Sequence, residues 1–356
     1  MQKLHLLALL HYYRSKHSFH LIKCSDLEYV TINFFFFSAS VAIHRKKSVI
    51  MSPSNFRTLT RTSFVLLMVL QLATISKLSA QREVDASVSG KQTFLFDNGG
   101  KLSRPIKVYY YSPTANPKDL PIVILMHGAH RNAKANFAEA LDAAAAFNCV
   151  LIAPEFTKEA YPEGDMYTFG NVYNRKGKQF NPKEAWTFEL IEPLFDEVVK
   201  QIKSTSSGYY IYGHSAGGQF VSRFLMYETT NRIIKAAAAN PGWYTMPTND
   251  VDFPYGLSKS SLPTSNLNAM YAKKMFLLLG TADTLREEED FYKTAQADAE
   301  GMTRFARGQN FFQQSKTKAI ELKTPFNWTE VFVPDAGHSN TRMCRFAFSL
   351  FFMDIK

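Results

Sequence analysis

The chain has 356 residues, 46% hydrophobic and 20% charged, with three cysteines and a formal charge of +10. This composition excludes a disordered, collagenous or disulfide-stapled chain. Nor does the charge mark a polyanion binder: residues 1–80 hold ten basic and two acidic residues, and the remainder, with 31 basic and 29 acidic, is close to neutral. Nucleic acid and anionic membrane are not expected partners.

Residues 1–50 contain the run Phe34-Phe-Phe-Phe37, scattered His and Lys, and no legible periodicity. They form a leader of unclear status, either an over-extended start or a targeting extension. From Met51 the pattern sharpens. Arg57 and Arg61 are basic, Ser63 to Ile75 is apolar, and Ser76-Lys-Leu-Ser-Ala80 ends in small residues. That is the layout of a signal peptide over 51–80, cleaved after Ala80. The apolar stretch, about 13 residues, is shorter than the roughly 20 of a bilayer span. Export to a secreted or periplasmic location is expected, with no stable membrane span after cleavage; an uncleaved anchor is the alternative.

Residues 81–356 have the length of one domain. Gln92 to Phe96 and Ile106 to Tyr111, joined through Asp97-Asn-Gly-Gly100, predict an antiparallel hairpin. Pro121 to Met126 and Cys149 to Ala153 are continuous apolar runs, as in strands covered on both faces. Between them, Asn136 to Phe147 is alanine-rich and helical. Leu194, Val198 and Ile202 space a helix that starts near Glu192, because Pro193 fits only a first turn. Tyr209 to Tyr212, Ile233 to Ala239, Lys274 to Leu279 and Trp328 to Val333 supply further strands. Gln219 to Tyr227, Glu287 to Phe312 and Arg342 to Phe352 read as helices. The alternation predicts an α/β domain with a mostly parallel sheet and helices on both faces. Two insertions, near 155–184 and 245–267, follow strand ends and fall on one rim. The first is rich in aromatics and fits a lid or simple loop packing. Cys149 and Cys344 read as buried thiols.

The chemistry is concentrated in Gly213-His-Ser215-Ala-Gly217-Gly218, a Gly-x-Ser-x-Gly stretch between a strand and a helix. Such a turn presents its serine at the sheet edge, and the glycines remove Cβ atoms where backbone crowds. A serine hydroxyl needs a base, and the base an orienting carboxylate. Asp283 follows the strand Leu277-Leu-Leu, and His338 follows Val331-Phe-Val. Asp335, three residues before His338, is the rival acid. The order Ser215, Asp283, His338 is that of an α/β-hydrolase. The backbone N–H of Ala216 is one candidate oxyanion donor; Ala129, or else Gly128, supplies the other. His127, His214, Trp243 and Tyr244 are candidate substrate contacts on the rim. The two other reactive-loop residues, Arg131 and Asn132, fit loop support better than substrate contact. No spacing suits a metal, and no cofactor is implied.

The segment from about Val108 to Met353 resembles an α/β-hydrolase. Within it, His127-Gly-Ala-His-Arg-Asn132 and Gly213-His-Ser-Ala-Gly-Gly218 resemble secreted esterases of the polyhydroxybutyrate-depolymerase and feruloyl-esterase type. The resemblance implies a serine esterase acting on a small or polymeric ester. Two alternatives stay open. One is a serine peptidase of the prolyl-oligopeptidase kind, though no propeller-sized segment precedes the hydrolase part. The other is a hydrolase-fold binding protein without turnover. The sequence leaves oligomeric state open.

Overall fold

A computed structural model describes residues 19–24, 27–35, 38–44, 83–162, 164–260, 262–288 and 291–353. The chain divides into two compact units, Met1–Ser76 and Lys77–Lys356. In the first, β1 (Phe19–Cys24), β2 (Leu27–Phe35) and β3 (Ser38–His44) form an antiparallel sheet in that order. No periodicity in the sequence marks these strands, although Tyr29-Val-Thr-Ile32 is made of strand-favouring residues. The expected signal peptide at 51–80 lies outside the described residues. No helix among the described residues is long and apolar enough to cross a membrane.

The second unit is an α/β domain. Its strands are β4 (Gly90–Phe96), β5 (Ile106–Ser112), β6 (Ile122–Met126), β7 (Val150–Pro154), the short pair β8 (Tyr173–Asn174) and β9 (Gln179–Phe180), β10 (Tyr209–His214), β11 (Ile233–Ala239), β12 (Met275–Gly280) and β13 (Trp328–Val333). Its helices are α1 (Ala133–Ala146), α2 (Ile191–Ile202), α3 (Ala216–Tyr227), α4 (Thr264–Ala272), α5 (Ala295–Glu300), α6 (Arg304–Glu321) and α7 (Asn340–Phe352). Eight strands make the central sheet in the order β13-β12-β11-β10-β6-β7-β5-β4. β5 pairs antiparallel with both β4 and β7, and every other pairing in this sheet is parallel. The reversed strand, β5, lies one in from the edge, and its hairpin connection to the edge strand β4 sets that pairing.

β6 and β7 are buried at every position, because apolar layers cover both faces of the sheet. One layer gathers Phe220, Phe224, Leu194 and Val198 from α3 and α2, with Phe311 from α6. The other gathers Phe137 and Ala140 from α1 with Met343 and Phe348 from α7. All the parallel strands end on one rim. There the loops after β6, β10, β12 and β13 meet, and they carry residues 127–130, Ser215, Asp283 and His338.

One expected helix is drawn differently. The stretch 287–312 holds no single helix: α5 and α6 are separate, and α6 runs on to Glu321. Thr294 and Thr303 each cap a helix start, their side chains accepting from Ala297 N and Ala306 N at 3.1 Å. Two such caps nine residues apart end one helix and begin another. The aromatics of the first insertion pack inward. Tyr167 is wholly buried and Phe169 almost so, so they fill the core rather than present a binding face.

Candidate active site

Ser215 sits between β10 and α3 with φ 57° and ψ −118°, a backbone state that a residue with a side chain adopts only under strain. The turn is fixed by close approach. A Cβ on Gly213 would meet the Gly217 carbonyl oxygen at 2.2 Å, and one on Gly217 would meet that of Met126 at 2.2 Å. Only glycine fits at either place. The second contact presses the start of α3 against the end of β6. It thereby brings Ala216 beside the segment 127–130.

That segment offers main-chain donors unequally. The Gly128 N–H donates to Asn136 Oδ1 at 3.0 Å. The Ala129 N–H carries no hydrogen bond among the described residues, and Ala129 lines the same cavity as Ser215. Of the two candidate donors in this segment, the Gly128 N–H is therefore already taken.

His338 Nδ1 lies 2.8 Å from Asp283 Oδ2. A carboxylate can only accept, so this contact keeps the proton on Nδ1 and leaves Nε2 with its lone pair. Asp283 is fully buried, and its other oxygen faces Arg304 Nη1 at 3.1 Å. The same nitrogen also reaches Glu288, at the cavity wall. Asp335 is exposed and engages Thr281 through its own N–H at 2.9 Å.

Asn240, at the end of β11, ties the two loops together. Its Oδ1 accepts from Gly280 N at 2.8 Å, and its Nδ2 donates to the Gly337 carbonyl at 3.2 Å. One buried amide therefore spans the residue that ends β12 and the residue before His338. A second chain of hydrogen bonds links the other loops. Asn136, which holds Gly128, donates to Glu139 at 3.2 Å; Asn340 donates to the same carboxylate oxygen. Asn340 Oδ1 in turn accepts from the Tyr212 hydroxyl at 2.8 Å, on the strand that leads to Ser215.

Ser215, His338, His214 and Ala129 line one cavity of about 610 Å³, together with Glu288, Glu139 and Asn340. His214 stands against His338, with ring centroids 4.5 Å apart. Burial, then the neighbouring His338 and Arg304, hold its pKa well below the ordinary histidine value, so it stays neutral.

The expectation that His127, Trp243 and Tyr244 stand on the rim as candidate contacts is corrected: all three are buried and do not line this cavity. His127 is fully buried. Its Nε2 accepts from Phe156 N at 3.1 Å, and its ring stacks on Tyr167 with centroids 4.5 Å apart. Burial drives its pKa down to about 3. Trp243 turns inward, stacked on Tyr292 and 4.4 Å from the Arg223 guanidinium. Tyr244 stacks on Phe311, with centroids 4.3 Å apart. All three fill core space beneath the rim. Arg131 supports its loop, donating to the carbonyls of Phe156 and Tyr161.

Sequence reasoning missed Arg304, Glu288, Asn240 and the Asn136–Glu139–Asn340 chain. Asn340 stands two residues after His338, and Asn136 and Glu139 share one face of the helix after the 127–132 motif. Those positions were signals. Arg304, in a polar stretch, gave none.

Searches found no match to any family model or any curated protein sequence. Solved structures do match. Poly(aspartic acid) hydrolase-1 from Sphingomonas sp. KT-1 is 36% identical with a TM-score of 0.70, over 74% of this chain and 99% of that one. The poly(3-hydroxybutyrate) depolymerase LpqC from Bordetella parapertussis is 27% identical with a TM-score of 0.69, over 76% and 94%. Fold, elbow and similarity agree on the class: this is a serine hydrolase. The chain belongs to the α/β-hydrolase family that includes poly(aspartic acid) hydrolase-1.

Proposed function

We propose that this chain is an exported serine hydrolase that cleaves carboxylic esters through Ser215, His338 and Asp283. The observation that carries the reading is the shared cavity. Ser215 on its strained turn and His338, with Nδ1 held by Asp283, line the same 610 Å³ space.

In this reaction Ser215 Oγ attacks the ester carbonyl carbon while His338 Nε2 takes its proton. Asp283 holds the imidazole and stabilises its positive charge. The N–H groups of Ala216 and Ala129 receive the negative oxygen of the tetrahedral intermediate; losing one such donor typically costs about 10²–10³ in rate. His338 passes its proton to the leaving alcohol. It then activates a water, which releases the acid and restores Ser215. The signal-like segment before Gln81 supports export.

A second reading is favoured by one observation. The relative at 36% identity is a poly(aspartic acid) hydrolase, and the units of poly(aspartic acid) are joined by amides. Amides and esters share the tetrahedral route, so the same residues would serve.

The test is a fluorophosphonate probe on the wild-type chain and on Ser215→Ala, followed by peptide mapping. Label on Ser215, absent from the variant, together with faster turnover of an ester than of the amide of the same acyl group, supports the proposal. No label on folded protein would favour a binding protein without turnover. Faster amide cleavage would move the second reading ahead.

A further inference from the structure

Glu139 stands in the wall of the cavity that holds Ser215. Helical spacing puts it there. Ala135, Asn136 and Glu139 lie three and four residues apart on α1 and all line that cavity, so one face of the helix forms this wall. Asn132, which caps the helix by accepting from Ala135 N at 3.0 Å, continues it.

The Glu139 carboxylate is held in place but not neutralised. Its Oε2 accepts from the Asn136 amide at 3.2 Å and from the Asn340 amide, and neither donor carries a charge. Oε1 takes no hydrogen bond among the described residues, and no described Lys or Arg pairs with the group. The side chain is exposed to the cavity solvent. Asn136 also accepts from the Gly128 N–H at 3.0 Å, so two hydrogen bonds connect this carboxylate to the segment 127–130.

Nothing else on the wall offsets the charge. Its basic side chains are histidines: His130, His214 and His338. Burial keeps His214 neutral. Arg304 answers Glu288, but the same guanidinium also answers Asp283, so one cation serves two carboxylates.

We infer that Glu139 is a specificity residue of this site, which selects esters whose acyl or alcohol part carries a cationic ammonium group. The inference rests on the proposed esterase function and adds the charge of the substrate to it. The two asparagines fix the carboxylate before a substrate arrives, so little side-chain freedom is lost on binding. A cation gains from the contact, an anion is repelled, and a neutral isostere does neither. An opposite charge about 4 Å away in a water-like medium is worth about fivefold in affinity.

The test measures kcat/KM for two pairs of esters that share a shape and differ in charge. Choline acetate against 3,3-dimethylbutyl acetate places the cation on the alcohol side. Ethyl 4-(trimethylammonio)butyrate against ethyl 5,5-dimethylhexanoate places it on the acyl side. Wild type is compared with Glu139→Gln and Glu139→Lys. Glutamine keeps an oxygen that can accept from both asparagines while the charge is lost. Taking the cation-to-neutral ratio within each protein cancels any change in folding or catalytic power. In at least one pair that ratio should fall about fivefold in Glu139→Gln and further in Glu139→Lys. In wild type it should also fall as salt rises from about 0.01 M to about 1 M, which shortens the screening length from about 30 Å to about 3 Å. Ratios that neither variant moves in either pair overturn the inference and leave the esterase intact. A wild-type ratio indifferent to salt in both pairs overturns it as well, even where the variants fail to fold. If wild type cleaves none of the four esters, the esterase reading fails and the selectivity with it.

Discussion

Arg304 and Asp283 form an ion pair at 3.1 Å with both side chains out of solvent. The carboxylate that orients His338 thus has part of its charge answered from behind. Replacing Arg304 with Gln leaves a buried carboxylate without its cation, so stability should fall by about 3 kcal/mol. Asp283 then holds His338 less firmly, and kcat should fall more than KM rises. Urea melts beside steady-state kinetics read both, and an unchanged kcat would reduce Arg304 to packing.

The backbone of Ser215 predicts a trade between stability and activity. Its φ of 57° costs a residue with a Cβ about 1–3 kcal/mol and glycine nothing comparable. Ser215→Ala keeps the strain, whereas Ser215→Gly releases it, less the roughly 0.5–1 kcal/mol of extra chain entropy that glycine loses. Both variants should be inactive, with Ser215→Gly the more stable by about 1 kcal/mol. Equal melting temperatures would show that the turn stores no strain.

Asn240 and Asn136 should behave as positioning residues. Asn240→Ala leaves the Gly280 N–H and the Gly337 carbonyl without their partner, a cost of about 1–3 kcal/mol. It also frees the His338 loop from β12, so kcat should fall more than KM rises. Asn136→Ala releases the Gly128 N–H and loosens the segment 127–130, which carries the proposed oxyanion donor. A drop of about tenfold or more in kcat with little change in KM is expected, on the scale of a weakened oxyanion donor. A change in KM alone would place these side chains in ground-state binding instead.

Two histidines set an acid limit on stability. Burial holds both His127 and His214 below their ordinary value, His127 at about 3. In the unfolded chain each takes up a proton below about pH 6.5. The native form stays neutral, so the unfolded state binds more protons there and stability falls as the pH falls. For His127 the loss should run from about pH 6.5 to about 3, at up to about 1.4 kcal/mol per pH unit. Urea unfolding between pH 4 and 8 measures the slope. His127→Gln should flatten it by nearly one proton, and an unchanged slope would mean that the ring is protonated in the native state.

Much of this site was legible because it depends on local order. A strand, a glycine turn, a serine and a helix are consecutive residues, and strand-then-turn placed Asp283 and His338 in the same way. That the Gly128 N–H is taken was not legible, since it turns on Asn136, one helical turn into the next element. Arg304 was hidden for a related reason. A charged residue in a polar stretch looks like surface, and only the packing of α6 against the end of β12 buries it. Trp243 and Tyr244 were placed correctly along the chain but misjudged in direction. Position after a strand says which rim a residue occupies, and whether its ring faces cavity or core depends on Phe311, Tyr292 and Arg223, all distant in sequence.

The two cysteines of the hydrolase unit suggest a use for their seclusion. Cys149 and Cys344 are both buried and unpaired, and burial pushes their thiols up to about 12. A thiol so held is a poor nucleophile toward an alkylating reagent. Cys344 also reaches from α7 to the Glu139 carbonyl on α1. Its reaction with such a reagent therefore reports the parting of those two helices, a clock for native-state opening that needs no added label and leaves Ser215 untouched.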